Sequence, residues 1–193
     1  FEELELSEEI LKVIDELRFE YATEIQEKSI PLIKEGKDII GLSQTGSGKT
    51  LAFAIPIIES IHESKKTEAL VLCPTRELAL QIEEVFNTLV KYRKDLKILA
   101  VYGGSSIENN MRSLRKGVNI IIGTPGRVMD LIRRKSIHLE ALKIAVLDEA
   151  DEMLNMGFLD DINEILGRTN PVHQTMLFSA TFSKEIENIA NTF

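Results

Sequence analysis

Six short runs rich in β-branched and other apolar residues recur along the chain: Asp38–Gly41, Ala69–Cys73, Ile98–Tyr102, Asn119–Ile122, Ile144–Leu147 and Thr175–Phe178. They are nearly continuous rather than alternating, which predicts parallel strands covered on both faces. Stretches of helical spacing separate them. From Arg76 to Tyr92 the apolar positions Leu78, Ile82, Val85, Phe86 and Leu89 fall on one face. Strand then helix, repeated, predicts an α/β fold in which a parallel sheet is sandwiched between helices by right-handed crossovers. Ahead of the sheet, Ser7 is placed to cap an acidic amphipathic helix with the stripe Ile10, Leu11, Ile14 and Leu17. A second helix starts at Thr23.

The 193 residues are 44% hydrophobic and 28% charged, an ordinary globular composition. No repeat, low-complexity tract or Pro/Gly-rich linker interrupts them, so residues 1–193 read as one domain. The longest apolar run, Leu51 to Ile58, is far too short to cross a bilayer. The acidic start, Phe1-Glu2-Glu3, lacks the basic region of a signal peptide. The single cysteine, Cys73, excludes an internal disulfide and a cysteine metal cluster, fits a reducing, cytoplasmic setting, and reads as an inert buried residue. His62, His138 and His173 show no ligand spacing.

The net charge is −8, which taken alone argues against a nucleic-acid binder. The charge is uneven, however. Residues 1–35 hold eleven acids and four bases, and residues 148–193 nine acids and two bases. Between 111 and 135 the balance reverses, with Arg112, Arg115, Lys116, Arg127, Arg133, Arg134 and Lys135 against Asp130 alone. On charge alone two readings stand: a local basic face, or solvated helix faces.

Candidate chemistry begins after the first strand, where Ser43-Gln44-Thr45-Gly46-Ser47-Gly48-Lys49-Thr50 leads into an apolar helix. Strand, Gly-rich loop, Gly-Lys-Thr and helix are together the recipe for holding a triphosphate. Gly46 and Gly48 let backbone N–H groups face an anion, and the helix N-terminus adds its dipole. Lys49 can reach the β- and γ-phosphates, and Thr50 can offer a hydroxyl to Mg²⁺. Ser43 stands where the general pattern has its first glycine, and a small residue there still permits the turn. The competing reading is a glycine-rich surface turn with a solvated lysine.

Ile144–Leu147 runs directly into Asp148-Glu149-Ala150-Asp151. A carboxylate at the carboxyl end of a buried parallel strand faces the ligand crevice of an open sheet. In phosphate-loop enzymes an acid there holds Mg²⁺, and Glu149 could orient or deprotonate an attacking water. The competing reading is acids favoured by a helix dipole. With the phosphate loop present, the catalytic reading prevails.

The phosphate loop together with Asp148-Glu149-Ala150-Asp151 resembles the DEAD-box family of ATP-dependent RNA helicases, and further signatures come in that family's order. Pro74-Thr75-Arg76-Glu77-Leu78-Ala79 resembles motif Ia, Gly103-Gly104 the glycine doublet, Thr124-Pro125-Gly126-Arg127 motif Ib, and Ser179-Ala180-Thr181 motif III. In the segment 1–27, Phe19 with Thr23-Glu24-Ile25-Gln26 resembles the Q motif, with Phe1 at the isolated upstream aromatic. Arg18 replaces that motif's usual Gly, and Ala22 its usual Pro.

The resemblance covers essentially the whole chain. It implies a RecA-like first domain using ATP and Mg²⁺. Phe19 would stack on adenine, Gln26 would read its edge and Phe1 would buttress it. Asp148 would hold Mg²⁺ through water, Glu149 would serve the hydrolytic water, and Asp151, Ser179 and Thr181 would couple the nucleotide to motion. Motifs Ia and Ib and the glycine doublet would contact the RNA backbone, with low sequence specificity. Several of these residues also have purely structural readings. Thr23 and Gln26 form a capping-box pattern. Thr124-Pro125 reads as a cap with Pro at the first helical position. Thr75 and Arg76 could simply start a helix, and Thr181 or Ser183 could cap the last one.

A DEAD-box enzyme pairs two such domains, the second supplying arginines to the γ-phosphate and completing the RNA clamp. The chain reads as the first lobe alone. It is expected to bind nucleotide weakly and hydrolyse it negligibly, since a missing arginine finger costs about 10³–10⁵ in rate. The rival readings are a nucleotide kinase, a DNA helicase or translocase, and a non-enzymatic docking module.

Overall fold

The computed structural model describes residues 1–42, 48–62, 64–171 and 173–193. Among them, β1 (Ile39–Leu42), β2 (Ala69–Leu72), β3 (Ile98–Val101), β4 (Ile120–Gly123), β5 (Ile144–Leu147) and β6 (Gln174–Ser179) form one sheet. Its order is β1-β6-β5-β2-β4-β3, and every pairing is parallel. Each expected strand is present, shifted by at most two residues at an end. Because all the strands run the same way, their carboxyl ends share one edge. That edge collects the candidate residues from six separate stretches of chain.

Strands β2, β4 and β5 are buried at every position. Successive residues nevertheless serve opposite faces, since side chains alternate across a sheet. Val71, Ile120, Ile122, Val146, Met176 and Phe178 join one core. Helices α1 (Glu8–Glu16), α2 (Glu24–Lys34), α3 (Lys49–Ser60) and α4 (Arg76–Leu89) cover it. Leu70, Leu72, Ile121, Ala145, Leu147 and Leu177 join the other. There the cover is α5 (Ile107–Lys116), α6 (Pro125–Arg133), α7 (Ala150–Asn155), α8 (Leu159–Gly167) and α9 (Lys184–Thr192). In the first core Phe53 is fully buried, its ring 6.3 Å from Phe86 and 5.6 Å from Phe178.

The helix starts follow local chemistry. The hydroxyls of Ser7, Thr23, Thr75, Ser106 and Ser183 each accept a backbone N–H of the first turn, the N-cap role. Thr124 occupies the cap position of α6 but its side chain makes no cap hydrogen bond; Pro125 at the first helical position fixes the entry instead. Two expectations are corrected. Helix α4 stops at Leu89 rather than Tyr92. The α1 stripe is Ile10, Val13 and Ile14 with Leu11 half-buried against the same core, whereas Leu17 is 40% exposed. The helix ends at Glu16, so Leu17 lies past the last turn and cannot continue the buried row.

Candidate nucleotide and nucleic-acid site

Ser43, Gln44, Thr45, Gly46 and Ser47 lie outside the described residues. The described part of the phosphate-loop segment begins at Gly48, which has φ 83°, in the left-handed region, and Lys49 opens α3. A Cβ on Gly48 would fall 2.6 Å from Gln26 Nε2 and 2.7 Å from Thr23 Oγ1, so glycine is required here by both conformation and space. The reason for the crowding is that α2 starts directly against the loop's end. Gln26 is buried and its Nε2 donates to Gly48 O at 3.1 Å. Its Oε1 accepts from Thr23 N at 3.0 Å, while Thr23 Oγ1 accepts from Gln26 N at 3.4 Å. The capping-box reading of Gln26 thus holds, with an added strut to the phosphate-loop end.

Lys49 Nζ lies 3.0 Å from Asp148 Oδ1, with both side chains buried. Asp148 N donates to Leu72 O at 2.9 Å, fixing the acid beside β2. Asp148 Oδ1 also accepts from Glu149 N at 3.0 Å. Its Oδ2 is buried with no hydrogen-bond partner among the described residues. An orphaned buried carboxylate oxygen is costly and points to a ligand. Burial pushes the Asp148 carboxyl above the ordinary aspartate range, against the pull of Lys49. Glu149 adopts φ 50°, ψ 52° at the cap of α7 and is half-buried. Thr50 sits in the first turn of α3.

Strand β6 separates the two halves of this pocket, Ser179 pairing in register with Leu42 of β1. Ser179 is buried and its Oγ likewise has no partner among the described residues. Two residues on, Thr181 Oγ1 donates to Asp151 Oδ2 at 3.3 Å, tying the end of β6 to α7. Cys73, at the end of β2, is buried, and burial together with the charge of Asp148 pushes its thiol well above the ordinary range.

The aromatic candidates sit around α1 and α2. Phe1 is half-buried against the first core, and Phe19 is 46% exposed. Arg18 holds φ 60°, which explains physically why glycine is usual there.

The other half of the edge, from β2, β4 and β3, carries the candidate nucleic-acid residues. Pro74 is buried and Thr75 caps α4. Arg76 is exposed, its guanidinium 5.2 Å from the Tyr102 ring centroid. Gly103, Gly104 and Gly126 are exposed, Pro125 is buried and Thr124 half-buried. Arg127 turns inward. It donates to Ser105 O at 3.1 and 3.2 Å and to the Oδ1 of buried Asn110 at 3.0 Å. These bonds clamp the α6 start to the glycine-doublet loop. Tyr102, Ser105 and Asn110 were not singled out in the sequence; only the adjacency of Tyr102 and Ser105 to the doublet hinted at them. Gly123 was also missed. A Cβ there would lie 2.6 Å from Val128 Cγ2 and 2.7 Å from Val101 Cγ2, so α6 could not approach β4 and β3.

An all-parallel sheet with a Gly-Lys-Thr helix start after its edge strand and a buried acid after β5 defines a RecA-like α/β domain. The DEAD/DEAH box helicase family model matches residues 23–189, and the chain belongs to that family. It is 50% identical to the ATP-dependent RNA helicase CshA of Listeria monocytogenes, over all of this chain and 37% of that protein. It is also 50% identical to the RNA helicase CrhR of Synechocystis, over all of this chain and 39% of that protein. A crystal structure of a DEAD box protein from the hyperthermophile Methanococcus jannaschii superposes with TM-score 0.95 at 46% identity, covering 100% of this chain and 53% of that one. The chain thus spans about two fifths of the length of these curated relatives.

Proposed function

We propose that the chain is the ATP-binding first lobe of an ATP-dependent RNA helicase, working with a second RecA-like lobe carried by the remaining length of the protein. The observation that carries this reading is the buried Lys49–Asp148 pair beside an Asp148 Oδ2 that has no partner among the described residues. Such a donor set fits Mg²⁺ with a triphosphate. No group of three or more His, Cys, Asp or Glu among the described residues could cage an ion. Mg²⁺ instead favours one or two carboxylates plus phosphates and water.

When bound, magnesium–ATP supplies the phosphoryl group that is transferred to water. Lys49 and the α3 N-terminus would hold its phosphates, Thr50 and Asp148 would hold the ion, and Glu149 would take the proton of the attacking water. Lys49 Nζ, 3.0 Å from Asp148 Oδ1, would hold the phosphates and Asp148 the ion when both are bound. Phe19 stacks on adenine with Phe1 behind it, and Gln26 reads the base edge. Asp151, Ser179 and Thr181 pass the state of the site to the interface between lobes. The segments Pro74–Arg76, Gly103–Gly104 and Thr124–Arg127, in which Arg76, Gly103, Gly104 and Gly126 are exposed, hold RNA phosphates, so sequence preference is low. Among the described residues no helix is long and apolar enough to cross a membrane. An RNA substrate and a lone buried thiol fit a cytoplasmic setting.

The test is Glu149→Gln in the full-length protein. It should retain ATP and RNA binding and abolish turnover; an unchanged kcat removes Glu149 from the chemistry. The 193-residue chain alone should show negligible RNA-stimulated ATPase, and robust turnover would contradict the need for a second lobe.

A further inference from the structure

The positive stretch between 111 and 135 is only partly accounted for by Arg127. Helix α5 starts just after the glycine doublet, at the carboxyl edge of the sheet, and ends at Lys116 where the chain turns back toward β4. Ile107, Met111 and Leu114 pack its inner face on the core. Arg115 and Lys116, three and four residues after Arg112, are exposed as Arg112 is, away from that inner face. Among the described residues none of the three forms an ion pair, whereas Arg133 lies 3.6 Å from Glu164 and Arg134 3.5 Å from Asp130. Glu108 is the one acid on α5. At the foot of the helix, a Cβ on Gly117 would meet Lys65 Cα at 3.3 Å. Lys65 and Lys66 share a cavity of about 320 Å³ with Leu114, Ser136, His138 and one acid, Glu140.

We infer that this stripe is a second nucleic-acid track, which takes the sugar-phosphate backbone of RNA running from Gly103–Gly104 along α5 to Lys65 and Lys66. The inference rests on the RNA reading proposed for the motif loops. Continuity carries it, because the Arg127–Ser105–Asn110 clamp makes the doublet loop and the start of α5 one rigid unit. Ten residues of α5 are about 15 Å long at 1.5 Å per residue, roughly four nucleotides at ~3.4 Å per strand. The side chains suit phosphate: two of the three are arginines, whose planar forks bind phosphate oxygens bidentately. The rest of a chain of net charge −8 repels a polyanion, which confines it to this stripe.

The test uses the 193-residue chain, labelled single-stranded RNAs of about six and about twelve nucleotides, and a poly-glutamate peptide, read by fluorescence anisotropy across a salt series. Arg112→Ala/Arg115→Ala/Lys116→Ala should weaken the longer RNA roughly fivefold or more, flatten its salt slope by about 2, and leave the shorter RNA unchanged. Arg112→Lys/Arg115→Lys keeps the charges and should leave the salt slope unchanged while losing the part of the affinity that the bidentate forks supply. Equal losses on both lengths, or no loss on the longer, would overturn the track. So would a loss of peptide binding with RNA binding intact, which would assign the stripe to an acidic protein partner. Failure of the full-length wild-type protein to bind either RNA would instead defeat the RNA reading itself.

Discussion

Lys49 Nζ and Asp148 Oδ1, from the helix after β1 and the end of β5, meet 3.0 Å apart with both side chains buried. The residue assigned to the phosphates and the residue assigned to the metal ion therefore neutralise each other in the free chain. Removing one partner of a buried pair leaves an uncompensated charge, at about 3 kcal/mol. Lys49→Ala should lower stability in urea denaturation by up to that amount and also abolish nucleotide binding in calorimetry. Lys49→Met/Asp148→Asn should recover most of the stability and none of the binding.

Gln26 serves two structural bonds with different atoms, its Oε1 accepting from Thr23 N and its Nε2 donating to Gly48 O. Gln26→Glu keeps the acceptor and loses the donor. Its stability cost should be about 1–3 kcal/mol, because a buried carboxylate oxygen then faces Gly48 O with no proton between them. ATP affinity should fall further than GTP affinity if the amide reads adenine, which competition binding measures. Equal losses would leave Gln26 a cap and strut only.

Arg127 and Arg76 should behave differently although both belong to nucleic-acid motifs. Arg76 is exposed, so Arg76→Ala should lower the salt slope of single-stranded RNA binding by about 0.7. The Nη1 and Nη2 groups of Arg127 donate to Ser105 and Asn110. Arg127→Ala should destabilise the chain by about 1–3 kcal/mol and weaken RNA with the slope nearly unchanged.

Arg18 holds φ 60° with a Cβ that the left-handed region disfavours. Arg18→Gly should raise stability by up to about 1 kcal/mol, the relief being offset in part by glycine's larger chain entropy. Denaturant midpoints with unchanged slope would show it.

Arg93 hydrogen-bonds Asp95 and also donates to Ile58 O at 2.8 Å and Ile61 O at 3.1 Å, holding the end of α3 to the entry of β3. The Arg93 guanidinium keeps the Asp95 carboxyl below the ordinary aspartate range. A lowered carboxylate stabilises the fold above the unfolded value of about 3.9, and that stability is lost as pH falls through the folded value. Asp95→Asn should cost about 1 kcal/mol at pH ~7 and progressively less below pH ~4, as urea titrations at several pH values would reveal.

The strands, their parallel sense and most caps were legible locally, because continuous apolar runs and Ser/Thr cap positions act over a few residues. The Gly-Lys-Thr and Asp-Glu-Ala-Asp segments were likewise legible, since each places its chemistry on one turn of backbone. Strand order was not legible: β6 inserts between β1 and β5, and only that insertion puts Ser179 between the phosphate-loop strand and the acidic strand. The inward turn of Arg127 onto Asn110, the fit of α2 against Gly48 and the exposure of Leu17 also depend on which surfaces the packed helices present. Short-range pattern specifies what each segment is. Contacts between segments distant in sequence decide which of its groups remain free to bind, because a hydrogen bond or a buried face is satisfied only once the partner element has arrived.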